Sequence, residues 1–211
     1  MHPWITATHF DGQIVKLESL DPTQHRDGLL AAGSDASIWT YLRFSPGDTP
    51  AGMDAHIAEL IRRRDALEEV PYVMIRRATN TIVGVTRFID IRQSHRGVEF
   101  GTWIHPQSQG DGTNVETKLL MLTYAFEQLN CIRVQIKTDA LNTAAQRSLV
   151  ALGATFEGCL RNHLIRYDGR IRDSYIYSIL NHEWPDIKAQ LLQRRNKRIS
   201  ASTQTDNATG A

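Results

Sequence analysis

The residues best suited to chemistry form one short run, Gln107-Ser108-Gln109-Gly110-Asp111-Gly112-Thr113, between an extended apolar segment and a segment of helical periodicity. Two glycines in that place suit an anion. The first amides of a helix have no partner inside it and carry a partial positive charge. Glycine lets the backbone turn toward a phosphate with no side chain in the way. A plain turn and cap is the competing reading, and Thr113 with Glu116 fits a reciprocal capping box. The same residues exclude two nucleotide motifs. A P-loop needs Gly-Lys-Ser/Thr, whereas Thr113-Asn114 follows Gly112, leaving no lysine for a nucleoside triphosphate. A dinucleotide fingerprint needs a third glycine where Val115 stands, in the first strand-turn-helix unit of a parallel sheet.

Other reaction classes lack their residues. There is no GxSxG elbow, and the eight histidines show neither HxxxH nor HExxH spacing, so hydrolase and metal chemistry have no support. Cys131 and Cys159 stand in no CxxC spacing and are read as buried thiols.

The elements that must hold the loop are legible around it. Residues 14–20 (IVKLESL) alternate as a strand, and Asp21-Pro22 caps a helix through Leu29 and Leu30. Met53, Ile57, Leu60, Ile61 and Leu67 recur at helical spacing. Residues 72–77, 82–91 and 98–104 are β-branched and aromatic runs that read as a three-stranded antiparallel meander. Val115, Leu119, Leu122, Phe126 and Leu129 share one face of a long helix. Residues 133–139 form a further strand, residues 143–152 a helix ended by Gly153, and residues 156–181 a hairpin turned at Asp168-Gly169. A last short helix begins near Pro185. This order gives an α/β (α+β) sandwich with a seven-stranded, mixed, mostly antiparallel sheet.

With 211 residues, 41% apolar and 22% charged, a single domain over residues 1–192 is expected. No run reaches the roughly 20 apolar residues of a membrane span, and no leader sequence is visible, so the cytoplasm is the expected compartment. Residues 193–211 carry Arg194, Arg195, Lys197 and Arg198 against Asp206 and little to bury, which reads as a basic, disordered tail. The rest is slightly acidic, so nucleic acid is disfavoured as a partner. A homodimer is compatible with the sequence.

Gln107-x-x-Gly110-x-Gly112 resembles the Gln/Arg-x-x-Gly-x-Gly/Ala motif of GCN5-related N-acetyltransferases (GNAT). Its neighbours resemble the RimJ/RimL-like subgroup, which acetylates ribosomal-protein N-termini. They are Val98-Glu99-Phe100-Gly101-Thr102-Trp103-Ile104, Thr138-Asp139-Ala140-Leu141-Asn142, Leu152-Gly153-Ala154-Thr155-Phe156-Glu157-Gly158 and Asp168-Gly169-Arg170-Ile171-Arg172-Asp173-Ser174. The resemblance spans roughly residues 12–190 and implies an N-acetyltransferase moving an acetyl group from acetyl-CoA to a primary amine. It implies fourth and fifth strands that splay apart around pantetheine, with cofactor contacts from Trp103, Ile104 and His105. Gln107, Gln109, Gly110, Asp111, Gly112 and Thr113 would hold the pyrophosphate, and Asn142 the cofactor arm or simply the helix N-cap. Glu99 is implied as the base that deprotonates the amine; otherwise it is a rim glutamate. Trp39, Tyr41 and Phe44 are expected either as an acceptor wall or as a satellite core. Two residues depart from the pattern. Asp111 puts a carboxylate in the phosphate loop, which costs affinity unless it points away. Leu149 and Ala145 stand where the family often has a Tyr or Ser proton donor, so the general acid is unassigned. A catalytically weak CoA-binding sensor or scaffold is therefore the alternative.

Overall fold

The computed structural model describes residues 2–44 and 46–209, with side chains as far as Ala201. Alternation dictates the sheet. In β2 (Val15–Ser19) and β3 (Glu69–Arg76), Val15, Leu17, Tyr72 and Met74 face one layer of helices, while Val73 and Ile75 face the other. The meander continues through β4 (Thr81–Arg92) and β5 (Gly97–Ile104). Then come β6 (Arg133–Asp139) and the hairpin β7 (Thr155–Ile165) and β8 (Ile171–Leu180). Strand order is β1-β2-β3-β4-β5-β6-β8-β7, and every pair but β5–β6 is antiparallel.

Among the described residues the sheet has eight strands, not seven. The addition is β1 (His9–Asp11), which pairs with β2. Three residues with a single apolar side chain give no alternation to read, and its Phe10 is held edge-on by Tyr72 and Tyr124, with centroids 5.1 and 5.2 Å away.

Helices cover both faces. On one, α1 (Pro22–Ala32) and α2 (Pro50–Asp65) enclose Leu29, Met53, Ile57 and Leu60 against Val73, Val85 and Trp103. Both begin with a side-chain cap followed by proline: Asp21 accepts from Thr23 N and Thr49 from Gly52 N. On the other face lie α3 (Thr113–Thr123), α4 (Thr143–Leu152) and α5 (Trp184–Thr209). Leu119, Leu122, Leu149, Leu152, Ile187 and Leu191 close that core. A π-turn over Tyr124–Gln128 continues α3 and leads to Leu129.

The expected tail boundary near residue 193 falls inside α5. Trp184 stacks on Phe126 at 5.4 Å, and Ile187 and Leu191 are buried; each such side chain contributes about 1.5–3 kcal/mol when removed from water. Basic residues continue the docking. Arg194 Nη1 donates to Ala151 O (3.0 Å), and Arg195 lies 3.8 Å from the buried Glu116 carboxylate. Of the two cysteines only Cys131 is buried, its thiol pushed up to about 12 by desolvation; Cys159 lies exposed on the edge strand β7.

Candidate active site

β5 and β6 pair at only three positions, Gly97–Arg133, Val98–Val134 and Glu99–Gln135. Beyond Glu99 each strand stays with its other neighbour, β5 with β4 as far as Ile104 and β6 with β8 as far as Asp139. The two therefore part. Between them opens a cavity of about 390 Å³ lined by Phe100, Gly101, Thr102 and Ile104 on one side and by Ile136, Lys137, Thr138 and Asp139 on the other.

Hydrogen bonding decides which amides enter this gap. His105 N donates to Val83 O at 2.8 Å, and alternate residues of a strand point the same way. The Trp103 amide is thus turned to β4, while those of Thr102 and Ile104 face the gap. Trp103 also keeps its side chain out of the gap: it is buried 5.4 Å from Trp39 and donates from Nε1 to His56 Nε2 at 3.2 Å. Burial, followed by the charge of Arg87, pushes His56 down to about 3, so the ring is neutral and can accept that bond. Thr102 was not foreseen, because strand periodicity reports side-chain faces and not the neighbour that each amide meets.

The glycine loop closes one end of the cavity. Gly110 and Gly112 have φ of +85° and +102°, the left-handed region that favours glycine. Gln109, Gly110 and Asn114 line the cavity, and a Cβ on Gly110 would meet nothing within 4 Å. The amides of Gly110, Asp111, Gly112 and Asn114 meet no acceptor among the described residues. Asp111 turns away from them. Its Oδ1 accepts from Thr113 N at 2.8 Å and its Oδ2 pairs with Arg76, which removes the electrostatic objection to an anion here.

Other loop expectations are redrawn. Thr113 is fully buried with its amide committed to Asp111, and no capping box forms. Glu116 reaches instead across the chain and accepts from the amides of Gln13 (2.9 Å), Ile14 (2.6 Å) and Val15 (2.9 Å). His105 Nδ1 accepts from Gln107 N at 3.2 Å, capping the single 3₁₀ turn Pro106–Ser108. Neither side chain lines the cavity. Asn142 Oδ1 caps α4 by accepting from Ala145 N (2.9 Å), as an N-cap would, and the residue also lines the cavity.

The far end carries charge. Glu99 Oε2 lies 2.7 Å from Lys137 Nζ and accepts from Gln135 Nε2 at 3.3 Å, while Oε1 has no partner among the described residues. Lys137 lines the cavity and Glu99 sits just behind it, on the sheet face of Gly101 and Trp103. Asp139 is saturated by Arg170, Arg172 and Leu141 N. Of the three expected aromatics, only Tyr41 lines the cavity. Trp39 is core, donating to Gly33 O, and Phe44 lies beneath the Arg43 and Arg87 guanidiniums at 4.8 and 4.4 Å. Tyr41 is positioned by the β7–β8 hairpin: Arg172 donates to Tyr41 O at 3.2 Å, and Arg166 to Leu42 O at 3.1 Å and to Trp39 O at 3.3 Å.

Ala145 and Leu149, at the positions where the family often has a Tyr or Ser proton donor, line the cavity, and Leu149 is buried. Beside them Ser148, itself exposed, accepts from Lys118 Nζ at 3.0 Å and borders the gap. Among the described residues no His, Cys, Asp and Glu group could hold a metal ion, and no helix is long and apolar enough to cross a membrane.

The acetyltransferase (GNAT) domain family matches residues 15–155, well over half of the chain. An uncharacterized N-acetyltransferase of Bacillus subtilis (strain 168), YoaA, is 30% identical over 105 residues, 50% of this chain and 59% of that protein. The spermidine N(1)-acetyltransferase of Escherichia coli (strain K12) is 27% identical over 131 residues, 62% of this chain and 65% of that one. The aligned segments thus span less than two thirds of these relatives. Over a longer extent, the crystal structure of a GCN5-related N-acetyltransferase from Brucella melitensis superposes with a TM-score of 0.84 at 25% identity, covering 90% of this chain and 86% of the other. Parted strands, a glycine loop at the head of α3 and a family match across both lead to one assignment: the chain belongs to the GNAT acetyltransferase family.

Proposed function

We propose that the protein transfers an acetyl group from acetyl-CoA to a primary amine. The observation that carries this reading is the parting of β5 and β6 after Glu99 and Gln135, which leaves strand-edge amides facing a cavity that ends at the unpaired loop amides. An amide edge inside a cavity calls for an amide-bearing ligand, and unpaired amides at a helix start call for a phosphate; pantetheine joined to a diphosphate has both in that order. Bound acetyl-CoA supplies an acetyl thioester, activated toward amines.

The chain's own residues do the rest. Thr102 and Ile104 offer backbone partners to the pantetheine arm, Asn142 borders it, and the amides of Gly110, Asp111 and Gly112 hold the diphosphate. An amine with a pKa near that of lysine is almost wholly protonated at neutral pH, so a proton acceptor is needed. Glu99 fills that role through Oε1, while Lys137 and Gln135 fix Oε2 and hold the carboxylate in place. Tyr41 and the hairpin arginines border the acceptor end.

Thiol release from acetyl-CoA across peptide N-termini, lysine, spermidine and small amines tests the reading. Release with at least one amine is expected. CoA binding without thiol release for any amine overturns catalysis in favour of a CoA-binding scaffold.

A further inference from the structure

We propose that α5 is part of the cofactor site: Arg194, Lys197 and Arg198, with Lys118 of α3, form a cationic clamp for a phosphate group of coenzyme A. This rests on the acetyl-CoA reading above and adds to it a binding element outside the glycine loop. A second cavity, of about 450 Å³, shares Gly110, Asn114, Lys118 and Ser148 with the strand gap, so the two adjoin. Its opposite wall is α5, through Leu191, Arg194, Lys197 and Arg198. Four cations thus border it, and among the described residues no carboxylate does.

That imbalance sets the cluster apart. Most basic side chains elsewhere among the described residues find acids, as Arg133 does with Glu157 or Arg63 with Glu59, and the exceptions Arg96, Arg147 and Arg161 lie apart from this cavity. Lys197 and Arg198 have no ion pair among the described residues, and Lys118 has only the Ser148 hydroxyl. Burial, and then the like charge of Arg194, pulls Lys118 down to about 8, the mark of a cation held without its counterion. Gathering like charges raises the energy of the unliganded protein, and a bound phosphate offsets it with charge-assisted hydrogen bonds.

The helix is fastened in the place such a clamp needs. Arg194, itself a lining residue, is tied to Ala151 O, and the next residue, Arg195, lies against Glu116. The Arg198 stem lies over the glycine loop, its Cβ 3.1 Å from where a Cβ on Gly112 would stand. The loop supplies partial charges from amides, and α5 sets full charges beside them. This gives a role to the basic cluster that composition alone reads as a solvated end.

Calorimetric titration with CoA and with 3′-dephospho-CoA tests the clamp on the full chain. The exposed pair Lys197→Ala/Arg198→Ala should weaken CoA binding about 10- to 100-fold and flatten its salt dependence. Lys188→Ala, on the same helix but paired with Glu127, should bind as the parent does. A loss confined to CoA assigns the charges to the 3′-phosphate, and an equal loss for both ligands assigns them to the diphosphate; either supports the clamp. Lys197→Glu, a single exposed reversal, repeats the test if the double variant is unstable. Parental affinity in both variants, with the parent binding CoA, overturns the clamp and leaves the proposed function standing. If the parent binds neither ligand, the clamp and the acetyl-CoA reading fall together.

Discussion

Alanine at the two loop glycines should separate structural from binding roles, and the geometry fixes the order. At Gly112, φ is +102° and an added Cβ would lie 2.7 Å from Ile14 Cδ1 and 3.1 Å from Arg198 Cβ. The left-handed backbone costs about 1–2 kcal/mol for a residue with a Cβ. Overpacking adds about 1–3 kcal/mol, because the Ile14 side chain must swing aside and Arg198 Cβ, next to the α5 backbone, must give way. Gly112→Ala should therefore lose roughly 2–5 kcal/mol, or roughly 4–20 °C in Tm at about 2–4 °C per kcal/mol for a chain of this size. At Gly110, φ is +85° but nothing lies within 4 Å of the new atom. Only the backbone term applies, so Gly110→Ala should lose about 1–2 kcal/mol in stability while its methyl group stands in the space beside the free amides. Thermal unfolding without ligand, followed by CoA titration, measures both. Gly112→Ala unfolding within about 2 °C of the parent, or less stable loops at Gly110 than at Gly112, would refute the argument.

Three further outcomes follow from the same contacts. Glu116→Gln puts an amide among three backbone donors and removes the charge beside Arg195, so it should cost at least about 2 kcal/mol in denaturant unfolding; a loss below 0.5 kcal/mol, a threshold set at the floor of ordinary surface effects, would mean that Glu116 does not latch residues 13–15. Glu99→Gln should lower kcat at least about tenfold and displace its pH profile with little change in CoA affinity, since Oε1 can no longer take a proton; parental kcat and profile would reduce Glu99 to an anchor for Lys137. His56 is held near 3 in the folded protein against 6.5 in the unfolded chain, so between those values the unfolded state binds a proton that the native state refuses. Stability should fall as pH drops below about 6.5, by up to about 1.4 kcal/mol per unit from this residue. His56→Gln keeps an acceptor for Trp103 and should flatten the slope between about pH 5 and 6.5, where carboxylates still stay ionised; an unchanged slope would place the titration elsewhere.

What the sequence determined was local. The apolar period of α3, the glycines at φ +85° and +102°, the proline-led starts of α1 and α2, the Asn142 cap and the Asp168-Gly169 turn all depend on residues adjacent to one another along the chain. The shared face of Glu99, Gly101 and Trp103 follows from strand alternation alone, and the resemblance added the gap between strands as an expectation. Tertiary structure decided which groups meet. Whether the Trp103 or the Thr102 amide enters the gap depends on where β4 ends its pairing, and Trp39 became core because Trp103 and Gly33 stand beside it. Thr113 and Glu116 had the spacing of a capping box, yet the carboxylate found three amides about a hundred positions earlier in the chain. Asp111 was rendered harmless to an anion by Arg76, and the basic run after residue 193 became a wall of the second cavity because α5 docks on α3 and α4. Periodicity and turn chemistry record the conformation of a residue and the face it shows. The partner it finds there is chosen by contacts far apart in sequence, which only the packed chain brings together.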